Sequence, residues 1–137
     1  MSSIFYMHVG RGDGVDLGHR PWLAGHLDLN ERDLAVDPII LGELRFGILL
    51  LPKGKKRTSL ERWFDDGVQR LHCPSWDADT GLKWAELLAR LRASGRAMPI
   101  KDSLIAATAL LHGLVVATRN QLDFQPAGVK LVDPFAD

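Results

Sequence analysis

Glu43, Asp102, Asn120 and Asp123 are polar residues placed where an apolar core is otherwise expected. Glu43 is embedded in LGELRFGILLL, Asp102 begins the most apolar helical stretch, and Asn120 and Asp123 lie in ATRNQLDF, just past a short β-branched run. Carboxylates gathered in one cleft repel one another and raise each other's pKa until a cation neutralises them. Hard divalent ions such as Mg2+ and Mn2+ take oxygen ligands, which Asp, Glu and Asn supply without help from Cys or His. The chemistry best matched to such a set is phosphodiester hydrolysis, in which bound metal activates water and stabilises charge on phosphate and leaving oxygen.

Simpler roles fit the same residues. Asp102 can cap its helix, since an aspartate there accepts backbone N–H groups and complements the dipole. Glu43 can form a structural ion pair with Arg45 or Arg119. Asn120 and Asp123 suit a turn, and His112, before Gly113, suits the cationic end of a helix. The basic run Lys53, Lys55, Lys56 and Arg57 reads as a solvated loop or as a phosphate contact.

The elements that must position these groups follow from periodicity. Ser3 to Val9 is β-rich and is followed by the glycine-rich run Gly10 to Gly18; Trp22–Leu29 suits a short helix and Leu34–Val36 a strand. Ile40, Leu44, Ile48 and Leu51 predict a buried helix over 39–51, with Pro38 at its permitted first turn. Thr58 and Glu61 have capping-box spacing and predict the start of a helix carrying Leu60, Trp63, Phe64, Val68 and Leu71. A third helix is predicted over 79–93, ended by Gly95, and a central one over 102–112, apolar almost all round and closed by Gly113. Trp63, Trp76 and Trp84 fall at core spacings. Leu114–Thr118 is a buried strand and Lys130–Val132 another. Helices alternating with short buried strands predict an α/β fold with a mainly parallel sheet, whose ligands gather beyond the carboxyl ends of the strands.

Composition narrows the function. The chain has 137 residues, one domain's worth, with 46% hydrophobic and 25% charged residues. Lys+Arg and Asp+Glu both number 17, so a site for a polyanion must be local. Cys73 is the single cysteine, which excludes an intrachain disulfide and a zinc-type cluster and fits a reducing cytoplasm. The apolar runs are too short to span a bilayer, and residues 2–9 lack the features of a signal peptide.

Three strings in order, LGELRFGILLLPKGKKR, LKWAELLARLRASGRAMPIKDSLIAATALLHGLVVATRNQLDF and GVKLVDPF, closely resemble the VapC branch of the PIN-domain family. The resemblance implies a three-layer α/β/α domain over residues 1–137, Mg2+-dependent (or Mn2+-dependent) endoribonuclease activity, and service as the toxin of a toxin–antitoxin pair. It makes Glu43, Asp102, Asn120 and Asp123 the catalytic set, with Asp102, Glu43 and Asn120 as metal ligands. Arg45, Lys53, Lys55, Lys56 and Arg119 become candidates for RNA contact. A cognate antitoxin and a second copy of the chain are the implied protein partners, and a weak or inactive domain that still binds antitoxin is the alternative. The departure lies in residues 1–21, where family members end their first strand in Asp-Thr-Asn. His8 falls about where that aspartate is expected, and Asp13 and Asp16 are the other substitutes.

Overall fold

The computed structural model describes residues 5–8 and 34–133, so the expected glycine-rich loop, the helix predicted at Trp22–Leu29, and Asp13 and Asp16 lie outside the described residues. Helix α1 (Pro38–Leu49) starts where two features coincide. Proline at the first turn forfeits no hydrogen bond, and the preceding Asp37 carboxylate accepts the Ile39 N–H at 2.8 Å. Ile40, Leu44 and Ile48 form its buried stripe.

Helix α2 (Lys55–Asp66) begins a turn earlier than the capping-box spacing predicts. Gly54 is the N-cap and no side chain caps the helix. The Thr58 hydroxyl instead donates to the Gly54 carbonyl at 2.9 Å, and Glu61 accepts from Arg57 Nε at 3.0 Å. Both residues are therefore interior, where the same three-residue spacing has no capping role. The capping box belongs to helix α3 (Ala78–Ala93): Asp77 accepts from the Thr80 N–H, and the Thr80 hydroxyl accepts from the Asp77 N–H. The backbone hydrogen bond from Thr80 holds the Asp77 carboxyl below the usual carboxylate range.

Helix α4 (Ile100–His112) carries the small buried residues Ser103, Ala106, Ala107, Thr108 and Ala109, which let neighbouring elements approach on several sides. Gly113 ends it in the left-handed region at φ 64°, where a side chain would be strained. The chain then reverses directly into strand β3 (Leu114–Ala117), buried throughout. Helix α5 (Gln121–Phe124) and strand β4 (Leu131–Val132) follow. Strands β1 (Phe5–His8) and β2 (Leu34–Ala35) complete a four-stranded sheet of order β2-β1-β3-β4.

The expected α/β class holds. Within the sheet, β3 and β4 are parallel, with Val116 opposite Leu131, while β1 runs antiparallel to both β2 and β3. The described sheet is thus mixed, because β1 is reversed. Trp63, Trp76 and Trp84, expected in the core, are half-buried at its margin. Trp76 and Trp84 meet edge to face at 6.4 Å, and Trp84 Nε1 donates to Ser103 Oγ, which ties α3 to the first turn of α4. Among the described residues no helix is long and apolar enough to cross a membrane.

A polar knot sits inside this core. Tyr6, 1% exposed, donates its hydroxyl to Asp37 Oδ2 at 2.8 Å and lies 2.7 Å from the Ile105 carbonyl. Thr108 Oγ1 lies 3.2 Å from the same Asp37 oxygen. Burial, and next the charge of Asp37, push the Tyr6 phenol well above its ordinary pKa, so it remains a donor. Tyr6→Phe removes a donor from a buried carboxylate, and we expect a loss of about 1–3 kcal/mol. Urea unfolding followed by circular dichroism checks this; an unchanged midpoint would show the bond contributes nothing.

Candidate active site

The turn at Gly113 sends β3 back along α4, so the first turn of α4 and the carboxyl end of β3 share one edge of the fold. Asp102 is on that first turn, and Asn120 and Asp123 follow that strand. Asp102 does not cap its helix: Pro99 is the N-cap position and no side-chain capping bond is made. It is instead a carboxylate 9% exposed. Burial raises its pKa first, the charge of Asp123 next, and Glu43 adds to the rise, while Lys101 opposes it. Asp102 thus feels the charge of the two other acids expected to act with it.

Glu43 is one and a half turns into α1, and its ion pair is with Lys101 Nζ. The sequence suggests Arg45 or Arg119 as its structural partner. Arg45 instead turns toward α2, with its guanidinium 5.5 Å from the Phe64 ring centre and 4.0 Å from Asp65 Oδ1. Glu43 holds the Lys101 ammonium above the ordinary lysine value. Nothing in the sequence singles out Lys101, because the residue it meets lies on a different helix, and spacing along one chain segment carries no such signal.

Asn120 precedes α5 and is exposed; its backbone N–H donates to Thr118 Oγ1 at 3.0 Å, and its side chain caps nothing. With Arg119, Asp123 and Asp133 it lines a cavity of about 260 Å³. Asp133 is a further acid, outside the set expected from the sequence. Its position just after β4 is the available signal: the Thr118 N–H bonds to the Val132 carbonyl at 2.9 Å, so both strands deliver their next residues to one rim. Lys53, Lys55 and Lys56 are exposed at the start of α2.

The backbone register sets His8 at a distance from Asn120. In the antiparallel register Phe5 pairs with Ala117 and His8 with Leu114, so β1 ends at the opposite end of β3 from Asn120. Three residues of strand, about 10 Å, separate those ends. Among the described residues no group of three or more His, Cys, Asp or Glu side chains lies close enough together to hold a metal ion. What the site offers toward a divalent cation is the kind of donor, oxygen throughout, and a buried carboxylate whose charge is opposed by its surroundings.

Comparison with known proteins identifies the family. A family model described as PIN domain matches residues 2–125. The chain is 34% identical to VapC ribonuclease Y4jK of Sinorhizobium fredii, covering 74% of this chain and 75% of that one. It is 37% identical to plasmid stability protein StbB of Pseudomonas syringae pv. tomato, over 74% and 76% of the two chains. Toxin FitB of Neisseria gonorrhoeae is 31% identical over 77% and 78%. Among solved structures, FitAB bound to an IR36 DNA fragment superposes with a TM-score of 0.71 at 26% identity, covering 85% of this chain and 84% of that one.

Metal-free Asp102→Asn is expected to be more stable to urea than the parent protein at pH 7. The raised pKa means that the folded chain holds the Asp102 proton more tightly than the unfolded chain. Its contribution to stability is therefore full below the ordinary carboxylate range and is lost as pH rises through the raised value. The advantage of the asparagine should accordingly shrink toward about pH 3. Parallel curves for the two proteins from acid to neutral pH would contradict this account.

Proposed function

The chain belongs to the PIN domain family, in its VapC branch, and on that footing we propose that it is a Mg2+-dependent endoribonuclease toxin restrained by a cognate antitoxin. The observation that carries the reading is the buried Asp102 carboxylate, unused as a cap and opposed by Asp123 and Glu43. Such a group gains from a cation and loses without one.

Asp102, Glu43 and Asn120 are the residues that would hold the ion, and all present oxygen, as a hard ion requires. When bound, Mg2+ supplies charge neutralisation at the phosphate and a more acidic water. The remaining work falls to the chain. Asp123, which lines the cavity with Asp133, orients the water-bearing side of the site. Arg119, on the same rim, contacts the substrate phosphate. Thr118 fixes the loop that presents Asn120 through the Asn120 N–H. Lys53, Lys55 and Lys56 lie exposed at the start of α2, where they supply a local positive field for a single-stranded or structured RNA.

The antitoxin reading is supported by the toxins that this chain resembles, and by similar solved structures described as FitAB and as VapBC2 on promoter DNA. Phe46, Leu49 and Leu50, exposed on and just after α1, offer apolar area for a partner helix or a second copy. Placement in the cytoplasm accords with a protein that acts on RNA there.

A second reading has an observation of its own. With β1 reversed and His8 at the far end of β3, the described strand brings no carboxylate to the site. On this reading the chain binds metal weakly, cleaves slowly or not at all, and retains its antitoxin.

Cleavage of a labelled RNA with and without Mg2+ separates the two. We expect metal-dependent cleavage that falls by about a hundredfold or more in Asp102→Ala, since even the supporting residues of metal sites are worth ten- to hundredfold. Equal cleavage by the variant would reject the site, whereas no cleavage by either protein, with antitoxin still bound, would favour the second reading.

A further inference from the structure

Lys101 stands between two of the acids. It follows Ile100 at the start of α4, immediately before Asp102, and its ammonium bonds to Glu43 Oε1 across from α1. Neither group is deeply buried: the Lys101 side chain is 53% exposed and that of Glu43 31%. A pair so accessible can be opened without stranding a charge in the core. We propose that Lys101 is a positioning residue that acts as the site's internal counterion, occupying the Glu43 carboxylate until a divalent cation displaces it. The proposal rests on the metal-binding reading above and adds to it a competitor encoded in the chain.

Glu43, Asp102 and Asp123 are three potential negative charges, and the Lys101 ammonium is bonded to the first while its backbone adjoins the second in the first turn of α4. A carboxylate oxygen shared between an ammonium and a divalent ion is disfavoured, because the two cations repel. Loading therefore requires Glu43 to exchange partners. The lysine stem is long and flexible, so its head can swing into solvent over the site once released. There it remains beside Asp102, its neighbour in the chain, so one displacement both frees a ligand and frees a cation for substrate phosphate.

The consequence is unusual in sign: removing a positive side chain should tighten cation binding through one named carboxylate. Titration of Mn2+ into the metal-free full-length protein, read by calorimetry at constant pH, tests it. Lys101→Met should bind Mn2+ about two- to fivefold more tightly than the parent, the range expected for an exposed ion pair. Lys101→Arg, which keeps the pair, should resemble the parent. In a Glu43→Gln background, Lys101→Met should give little further gain, because the contested oxygen has lost its charge. A thermal melt without metal gives an independent readout: Lys101→Met should melt lower than Lys101→Arg, and Mn2+ should close the difference.

Equal or weaker Mn2+ binding by Lys101→Met would overturn the proposal, as would the same gain in the Glu43→Gln background, which would reduce Lys101 to a general positive field. Failure of the underlying reading is recognised differently. It would appear as absence of any Asp102-dependent Mn2+ binding in the parent and in Lys101→Met alike. Binding by Lys101→Met alone, with none in the parent, would support the competitor role in its strongest form.

Discussion

The Asp37 carboxylate is the point on which the rest of the arrangement hangs. It is 1% exposed, yet its oxygens are met by the Tyr6 hydroxyl, the Thr108 hydroxyl and the Ile39 N–H. A carboxylate taken out of water without such donors would destabilise the fold severely. Satisfied as it is, and seated at the positive end of α1, it joins one strand and two helices that no local sequence contact links. The same three elements fix the geometry of the acids. Glu43 lies beyond Asp37 on α1, and Lys101 and Asp102 lie before Thr108 on α4, so the buried knot sets how the two helices face each other at the site.

Family membership sharpens the meaning of the site without replacing its physics. The match to a PIN domain model spans residues 2–125, which takes in Glu43, Asp102, Asn120 and Asp123 but stops short of Asp133. The geometry then distinguishes environments that a motif treats alike. Asp102 is withdrawn from water and electrostatically opposed, Glu43 is engaged by an ammonium, and Asn120 and Asp123 sit on an open rim. Three environments for similar groups set these side chains apart from a symmetric cage.

Much of the framework is legible in the sequence. Helix α4, its glycine stop and strand β3 follow from apolar pattern and turn chemistry, and α1 and α3 are predictable to within a few residues. Where the sequence misleads, the missing information is not local. Thr58 and Glu61 imitate a capping box because helical interiors share its spacing. Asp37, directly before a proline at a helix start, carries a true capping signal that the apolar periodicity around it overshadows. The direction of β1 leaves no trace in its composition, since period and propensity are blind to polarity along a strand. Lys101 and Glu43 meet across two separate helices, and a sequence pattern along either helix cannot announce that.

The two links between α1 and α4 differ in kind, and that difference has a mechanical consequence. The Asp37–Thr108 end is a pin, sealed from water and built from uncharged donors, so salt hardly affects it. The Glu43–Lys101 end is a clip, exposed and held by opposite charges. Six residues of helix, roughly 9 Å, separate the pin from the clip along α1. Ile40, Leu44 and Ile48 seat the helix in the core on both sides of Glu43. Opening the clip therefore frees charge at the acids while α1 stays held by its apolar stripe and by the pin, and its far end keeps Phe46, Leu49 and Leu50 in solvent.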